Sequence, residues 1–292
     1  MKEIEINTHA KLNLTLDVVR KRPDGYHDLK MIMQSVTLHD TVTLRRTEET
    51  GVRLTTNLGY LPTDDGNIAV KAARLFFQQT GVRPEGLHIH IEKRIPVAAG
   101  LAGGSGNGAG VLKGLNRLYE TGYTPQQLRE LGVRIGADVP FSLLGGTALA
   151  EGIGEILTPL KAMPSCFITL VKPPFNISTP KIFGKLRVAK VRYRPDTAGA
   201  LRALEEGRLG DLARRMYNVL EPVTASEHGS IRSLERRMLE FGALGSIMSG
   251  SGPTVFGVFD ELRRAENAYE YFAARFADVA LCNPFNGQAE PV

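Results

Sequence analysis

The 292-residue sequence has no tryptophan and only two cysteines, Cys166 and Cys282. Two isolated thiols without a C-x-x-C pair argue against a zinc site and favour a reducing compartment. No apolar run approaches the roughly 18 residues that a membrane-spanning helix needs, and residues 1–6 lack the apolar segment of a signal peptide. These absences predict a cytoplasmic protein without a membrane partner.

The sequence also lacks a concentrated block of basic residues, although its net charge is +5. Lysine and arginine are spread along the whole chain, so the charge suits anionic small molecules and makes nucleic acid a weak alternative. With 42% hydrophobic and 23% charged residues, the composition is that of a globular protein with a core. Because the length exceeds that of a usual single domain, we predict two domains, residues 1–157 and 158–292.

What the sequence does contain is a run of six glycines between Gly100 and Gly110. Residues 87–95 alternate apolar and polar side chains, which predicts a strand before the run, and apolar residues at helical spacing predict a helix over 109–120. Glycine lets the backbone approach a ligand closely, and the N–H groups at a helix N-terminus face an anion. Because neither a G-x-x-x-x-G-K-[ST] motif nor a Rossmann fingerprint is present, we predict a phosphate-binding loop of another type.

The pattern around this loop predicts a two-domain α+β architecture. The first half has strands over 3–20 and 29–44, the latter with a turn at 38–41, then a helix over 68–79 and a helix that Thr124 caps. The second half has strands over 167–171 and 279–282, a strand pair around a glycine-serine loop at 245–259, and helices over 197–206, 209–216, 226–241 and 262–276.

Two charged residues, Lys11 and Asp138, stand at positions that could indicate a functional role. Lys11 and Asn13 face the same side of the chain if residues 3–20 are extended, because side chains alternate along a strand. Asp138 stands in the mostly apolar stretch 135–141, where an ionised carboxylate has to be paired or hydrogen-bonded. A surface lysine and a capping aspartate are the ordinary interpretations of each residue taken alone.

Six separated segments together resemble one family. Residues 93–105 and 248–253 resemble the phosphate loop and the C-terminal glycine motif of the GHMP kinases. A narrower resemblance, to the GHMP kinases that act on 4-diphosphocytidyl-2-C-methyl-D-erythritol in the non-mevalonate isoprenoid pathway, rests on residues 10–14 with 24–27, 136–141 and 179–183. The resemblance covers nearly the whole chain. It implies an N-terminal domain like the second domain of ribosomal protein S5, a ferredoxin-like C-terminal domain, and a ligand cleft between them.

The resemblance also implies a reaction and a catalytic pair, Lys11 and Asp138. Asp138 would accept the proton of the 2-hydroxyl of the cytidyl-linked sugar alcohol, and Lys11 would keep Asp138 ionised beside the transferring phosphoryl group. His27 would hydrogen-bond the cytosine edge, while Tyr26 and Phe183 would stack on the base. Asn13 and Thr179 would contact the methylerythritol or diphosphate portion of the substrate.

For ATP with Mg²⁺, the resemblance implies contacts from one helix start and from the glycine-rich loop, and it names no residue as a ligand of the metal. These nucleotide-binding residues are Asn67, Pro96, Ala98, Gly100, Leu101, Ala102, Gly103, Gly104, Ser105, Gly106 and Asn107. The partners are therefore ATP and a small-molecule substrate, without nucleic acid or membrane, and the expected assembly is a monomer or a weak homodimer.

The loop departs from the usual family pattern at three positions. Ala102 replaces a glycine, which matters only if that position needs a positive φ. Gly106 and Gly108 stand where serine and alanine are usual, so we expect one hydroxyl contact to be lost and the first helical turn to be more flexible. Each glycine should cost roughly 0.5–1 kcal/mol relative to alanine. Residues 8–10, Thr-His-Ala, also replace the usual Ala-Pro-Ala.

Two other functions stay open. Another GHMP small-molecule kinase, acting on homoserine or a mevalonate derivative, would have no use for the Asp-Gly-Tyr-His motif at 24–27, because its substrate carries no cytosine. A non-catalytic binding protein of the same fold is the other alternative, since fold alone does not define function. The presence of both Lys11 and Asp138 argues against it.

Overall fold

The computed structural model describes residues 1–287, which form two β-sheets with helices on their outer faces. The strands are β1 (Glu3–Lys21), β2 (His27–Thr47), β3 (Gly51–Thr56), β4 (Gly86–Glu92), β5 (Thr147–Gly152), β6 (Ile156–Pro159), β7 (Phe167–Lys172), β8 (Tyr217–Asn218), β9 (Gly245–Met248), β10 (Val255–Phe259) and β11 (Asp278–Cys282). The helices are α1 (Ile68–Thr80), α2 (Gly103–Leu118), α3 (Pro125–Val133), α4 (Val139–Leu144), α5 (Thr179–Lys185), α6 (Thr197–Glu205), α7 (Leu209–Ala213), α8 (Glu221–Glu227), α9 (Ser230–Glu240) and α10 (Leu262–Ala273).

The first sheet has the strand order β3-β4-β2-β1-β8, with β5 paired to β2 and β6 paired to β5. Its backbone is the long antiparallel hairpin of β1 and β2, whose register shifts between His9 and Lys11 and between Asn13 and Thr15. A β-bulge re-aims the side chains next to it. These two shifts flank the segment that carries Lys11 and Asn13.

The predicted turn at residues 38–41 is wrong, because β2 continues through it. Asp40 pairs with Thr8 of β1 in the sheet, and its fully buried side chain accepts hydrogen bonds from the backbone N–H groups of Arg94 and Ile95, both at 2.8 Å. Asp40, which the sequence predicts in a turn, is therefore a buried strand residue whose carboxylate holds the backbone of residues 94 and 95 in place.

Helix α2 begins six residues before the predicted start at residue 109, so several of the loop glycines lie inside it. The missing side chains let α2 pack closely. A Cβ atom on Gly108 would lie 2.7 Å from Cγ2 of Ile68 in α1, and one on Gly110 would lie 2.5 Å from Cγ2 of Thr8. The expectation of a merely more flexible turn is therefore incomplete, because Gly108 and Gly110 permit tight packing.

The second sheet has the order β11-β7-β10-β9, and β9 and β10 form the antiparallel pair that the sequence predicts. The predicted helix over 226–241 is divided into α8 and α9. Leu12 and Leu14 of β1 share one core with Leu170 and Phe256 of the second sheet. Helices α1 to α4 cover the opposite face of the first sheet, and α9 and α10 cover the opposite face of the second.

The two halves of the chain are not separate in the first sheet. The two-residue strand β8 pairs in parallel with β1, although it lies far beyond residue 157 in the sequence. The domain boundary at 157 stays a prediction. Within residues 1–287, no helix has the length and apolar character that crossing a membrane requires.

Candidate active site

A cavity of about 960 Å³ lies where β1, the loop before α2, the start of α4 and helix α5 meet. All but two of the residues that the sequence analysis assigns to the site line it, the exceptions being Asn13 and Gly106. The predicted residues in its wall are Lys11, Tyr26, His27, Asn67, Pro96, Ala98, Gly100, Leu101, Ala102, Gly103, Gly104, Ser105, Asn107, Asp138, Thr179 and Phe183. Residues that are distant in the sequence thus share one wall.

The loop before α2 presents backbone N–H groups to the cavity. Ala102 is the N-cap of this 16-residue helix and provides no side-chain hydrogen bond to its first turn. The first N–H groups of a helix have no intrahelical acceptor, and the helix dipole adds positive potential there. The backbone N–H groups of Gly103, Gly104 and Ser105 therefore form a cradle that suits a phosphate group.

The loop has strained backbone at an alanine. Ala102 has φ +56° and Ala98 has φ +53°, values in the left-handed region that favours glycine. The replacement of glycine by Ala102 is expected to matter only at a position with a positive φ. Ala102 is at such a position. The loop keeps this conformation through contacts with the rest of the protein.

One such contact is with the glycine-serine loop between β9 and β10. Ser249 Oγ donates a hydrogen bond to the carbonyl oxygen of Gly100 at 3.0 Å, and Thr254 N donates to the carbonyl oxygen of Ala99 at 3.3 Å. Gly100 has φ +76°, and a Cβ atom on it would overlap the carbonyl oxygen of Ser249. Glycine is required at position 100 for both reasons.

Behind the loop lies a buried ion pair between Lys93 and Asp40. Asn107 donates to Asp40 Oδ2 at 2.9 Å and accepts a hydrogen bond from Lys93 Nζ at 3.2 Å. Its amide nitrogen also lies 3.2 Å from the hydroxyl of Thr8. The side chain of Asn107 is therefore held by the protein itself, and it ties α2 to β1 and β2.

The predicted catalytic pair, Lys11 and Asp138, lines the same cavity as the phosphate cradle. Lys11 Nζ lies 3.9 Å from Asp138 Oδ2 and donates a hydrogen bond to Asn13 Oδ1 at 2.7 Å. The side chain of Lys11 is 7% exposed, whereas that of Asp138 is 34% exposed and makes no capping hydrogen bond to α4. The carboxylate of Asp138 is thus accessible from the cavity, while Asn13 lies behind Lys11.

The other end of the cavity carries aromatic and imidazole groups. His27 packs against Phe183 with ring centroids 5.2 Å apart, and the side chain of Tyr26 is exposed beside them. Burial, and then the charge of Lys21, lower the pKa of His27 below its ordinary value of 6.5. His27 is therefore a neutral imidazole near pH 7, with one donor and one acceptor nitrogen.

The structure adds residues that the sequence analysis did not assign to the site. Lys21, Lys93, Leu220, Gly250 and Ser251 line the same cavity. Ser251 Oγ and Thr179 Oγ1 are hydrogen-bonded at 2.7 Å, which joins the glycine-serine loop to α5. The motif at 248–253 was a signal for Ser251, whereas nothing in the local sequence distinguishes Lys21 from a surface lysine.

Among residues 1–287, no group of three or more His, Cys, Asp or Glu side chains is placed to hold a metal ion. Oxygen donors at the phosphate end of the cavity are nevertheless present in Ser105 and Asp138. Mg²⁺ prefers oxygen ligands and is commonly held by one or two protein groups together with substrate phosphates and water. The donor set fits Mg²⁺ bound with a nucleotide.

Comparison with known proteins finds similarity over nearly the whole chain. The family model described as GHMP kinases N terminal domain matches residues 67–146, and that described as GHMP kinases C terminal matches residues 200–278. The 4-diphosphocytidyl-2-C-methyl-D-erythritol kinase of Alkaliphilus oremlandii is 47% identical over 291 residues, 99% of each chain. The enzyme of the same name from Alkaliphilus metalliredigens is 45% identical over 286 residues, 98% of each chain.

A solved structure extends the similarity to the fold. The crystal structure of a 4-(cytidine 5'-diphospho)-2C-methyl-D-erythritol kinase matches with a TM-score of 0.83 at 32% identity, covering 97% of this chain and 100% of that chain. The predicted two-domain α+β architecture is confirmed as the GHMP kinase fold.

Proposed function

The chain belongs to the 4-diphosphocytidyl-2-C-methyl-D-erythritol kinase family of the GHMP kinases, and from this premise we propose which substrate and residues it uses. As a member of this family it is an ATP-dependent kinase. Its acceptor is the 2-hydroxyl of 4-diphosphocytidyl-2-C-methyl-D-erythritol, and its place is in the non-mevalonate isoprenoid pathway.

One observation carries the proposal: a single cavity contains a phosphate cradle, an accessible carboxylate and a pocket for a base. Asp138 and the N-terminus of α2 line one part of it, and His27 with Phe183 lines another. A cytidine diphosphate ester of a sugar alcohol has the matching parts, namely a reactive hydroxyl, a diphosphate and a cytosine. A kinase for homoserine or mevalonate would not need the His27 pocket.

Asp138 is the general base in this proposal. Its carboxylate accepts the proton of the 2-hydroxyl while that oxygen forms a bond to the γ-phosphorus, and the bond from the γ-phosphorus to the bridging oxygen of ADP breaks. Lys11, 3.9 Å away, favours the ionised carboxylate. Its positive charge also offsets the negative charge of the transferring group.

The nucleotide lies along the loop before α2. In this proposal the N–H groups of Gly103, Gly104 and Ser105 donate to the phosphate oxygens. Asn67, the N-cap of α1, lines the same cavity and also contacts the nucleotide in this proposal. Mg²⁺ would be held by Ser105 and the phosphates, and it would neutralise charge on the phosphoryl oxygens. Placement and charge are the main contributions that a protein makes to phosphoryl transfer.

At the other end, His27 reads the cytosine. A neutral imidazole offers one donor and one acceptor to the base edge, and Tyr26 and Phe183 provide aromatic faces for stacking. Thr179, joined to Ser251 by a 2.7 Å hydrogen bond, lines the same cavity as His27 and Asp138. In this proposal it contacts the diphosphate or the methylerythritol portion.

We also assign the protein to the cytoplasm. Its two cysteines, Cys166 and Cys282, are free thiols in the core, and burial raises the pKa of each to about 12. Such thiols are protonated at neutral pH and serve as small apolar side chains. A reducing compartment suits them.

The test is ADP release from Mg-ATP with four acceptors offered in parallel: 4-diphosphocytidyl-2-C-methyl-D-erythritol, homoserine, mevalonate and galactose. We expect turnover only with the cytidyl substrate. Turnover with another acceptor would support kinase activity and contradict the assignment of the cytosine pocket. If a folded protein that still binds ATP releases no ADP with any of the four acceptors, the result would favour the non-catalytic alternative.

A further inference from the structure

A buried asparagine outside the cavity wall holds the glycine-serine loop in place. Asn218 is 1% exposed, and its side-chain nitrogen donates hydrogen bonds to the carbonyl oxygens of Met248 at 2.8 Å and Gly250 at 2.7 Å. Its side-chain oxygen accepts a hydrogen bond from Leu220 N at 2.9 Å. Both donor positions of the amide are therefore used on one loop.

Asn218 is at the same time fixed to the strand that carries Lys11. It belongs to β8, which pairs with β1 so that Asn218 stands beside Leu16, and Val219 N donates to the carbonyl oxygen of Leu16 at 3.0 Å. The side chain thus connects β8, which is paired with β1, to the loop between β9 and β10.

The held loop lies close to the groups behind the catalytic pair. A Cβ atom on Gly250 would lie 3.6 Å from Asn13 Oδ1 and 3.2 Å from the carbonyl oxygen of Gly100. Asn13 Oδ1 is the acceptor for Lys11 Nζ. A shift of Gly250 would therefore move or release the partner that orients Lys11.

Two further hydrogen bonds hold the same loop. Glu221 Oε2 accepts a hydrogen bond from Met248 N at 2.9 Å, and Thr224 Oγ1 donates to the carbonyl oxygen of Ser251 at 3.1 Å. Both residues lie in α8, directly after Asn218. Asn218 differs from them because its own backbone is part of the first sheet.

We propose that Asn218 is a positioning residue that sets the loop 248–252 against β1, and through Gly250 and Asn13 sets the direction of the Lys11 ammonium group. Its consequence for catalysis rests on the proposed function, whereas its effect on the loop does not. A residue that only stabilised the fold would lower the melting temperature without a selective effect on the kinetics.

The matched control is Asn116, another buried asparagine with a full set of hydrogen bonds. It is 6% exposed, donates to the carbonyl oxygen of Tyr123 at 2.9 Å and accepts from Thr121 Oγ1 at 2.7 Å. It lies near the end of α2 and does not line the cavity. Asn116→Ala removes a comparable network at a distance from the site.

The kinetic comparison uses Asn218→Ala, Asn218→Ser and Asn116→Ala. Because misplacement of about 1 Å can cost up to roughly 100-fold in rate, we expect Asn218→Ala to lower kcat by about 10- to 100-fold. We also expect KM for the cytidyl substrate to rise more than KM for ATP. Asn218→Ser keeps one hydroxyl donor, so its kcat and KM values should lie between those of wild type and Asn218→Ala. This variant tests the proposal if the alanine variant does not fold. Asn116→Ala should leave kcat and both KM values unchanged.

Amide hydrogen exchange tests the loop without any substrate. The N–H groups of Gly252 and Thr254 bond to the carbonyl oxygens of Ser249 and Ala99, and that of Lys11 bonds to Leu101. Loss of the Asn218 side chain should raise the local opening and thus the exchange of these amides by about 10-fold or more. Asn116→Ala should not change them.

Two results would overturn the inference. One is unchanged exchange of these amides in Asn218→Ala and Asn218→Ser. The other is faster exchange with unchanged kcat and KM in a chain whose wild type turns over the cytidyl substrate. If the wild type does not turn over that substrate, the proposed function alone fails, and the exchange data still decide whether Asn218 positions the loop.

Discussion

The ammonium group of Lys11 stands between two oxygen partners, 2.7 Å from Asn13 Oδ1 and 3.9 Å from Asp138 Oδ2. The shorter contact is a hydrogen bond that holds Lys11, and the longer one is an ion pair without a tight hydrogen bond. Asp138 therefore has the benefit of a nearby positive charge while its oxygens stay available to accept a proton.

Removal of the charge on Asp138 should abolish most of the activity. Asp138→Asn keeps the shape of the side chain, so we expect an unchanged melting temperature and a kcat lower by roughly 10²–10⁴-fold, the usual size of a general-base contribution. The matched control is Asp260→Asn, at an exposed position after β10, which should be fully active. Near-normal turnover in folded Asp138→Asn would remove the base assignment.

His27 should control the affinity for the cytidyl substrate and not for ATP. Since burial and the charge of Lys21 lower the pKa of His27 below its ordinary value of 6.5, the imidazole is mainly neutral at pH 7 and above, and KM for the cytidyl substrate should be constant from about pH 8 to 7. His27→Ala should raise this KM and leave KM for ATP unchanged, and His88→Ala on β4 is the control. Equal losses for both substrates would contradict the cytosine role.

Lys21 should contribute through charge. It lines the cavity, and within residues 1–287 it has no ion-pair partner. A partly exposed charge contact is worth up to about 1 kcal/mol, so Lys21→Met should raise KM for the anionic cytidyl substrate by roughly 3- to 5-fold. The effect should shrink as salt is added. Lys30→Met, which removes an exposed lysine paired with Glu151, should not change KM.

A half-buried pair of carboxyl groups should make the stability of the protein depend on pH. Glu235 is hydrogen-bonded to Glu221, and burial together with the charge of Glu221 raises the pKa of Glu235 to about 9. Oε1 of Glu235 is buried, and no hydrogen-bond partner for it is present among residues 1–287. The neutral form is therefore the favoured form in the folded protein.

Because the folded pKa of Glu235 is higher than the ordinary value of 4.5, the folded state binds more protons between these pH values. The free energy of unfolding should accordingly fall as pH rises from about 5 to 9, by at most about 1.4 kcal/mol per pH unit. Glu235→Gln should flatten this dependence and be more stable than wild type at pH 8.5. Glu240→Gln, in the same helix, should keep the slope. Urea unfolding at pH 5.5 and 8.5 provides the comparison, and parallel slopes for wild type and Glu235→Gln would be the contrary result.

Ala102→Gly should stabilise the protein. Ala102 has φ +56°, and an alanine in the left-handed region costs roughly 1–2 kcal/mol, which glycine relieves at some entropic cost. We expect a net gain of about 1 kcal/mol. Ala109→Gly, inside α2, should instead destabilise by about 1 kcal/mol. Thermal unfolding of both variants measures the difference, and a loss of stability in Ala102→Gly would show that the loop does not strain residue 102.

Much of the local structure could be predicted from the sequence because its causes are local. Thr124 caps α3 with a hydrogen bond from Gln127 N at 3.2 Å, and Pro125 follows at the first helical position, as the motif predicts. The strand pair around residues 249–254 formed as predicted for the same reason. Local hydrogen bonding and φ preferences suffice for such elements.

The errors fall where a distant partner decides the local structure. Asp40 reads as a turn residue, yet the backbone N–H groups of Arg94 and Ile95 make it a buried anchor within β2. The glycines after residue 103 read as loop, yet they lie inside α2. At Gly108 and Gly110 the side chains of Ile68 and Thr8 occupy the space that a Cβ atom would need. No window of sequence around these residues contains that information.

The sequence by itself indicated the chemical groups of this protein: a carboxylate, a lysine, a glycine-rich loop and an aromatic-histidine motif, each recognisable from a short segment. Only the tertiary structure decided which of them meet, that Lys21 and Ser251 join them, and that Asn218 holds the loop. The physical reason is that side-chain type and backbone preference are local properties. The distance between Lys11 and Asp138, in contrast, results from packing elements far apart in the chain.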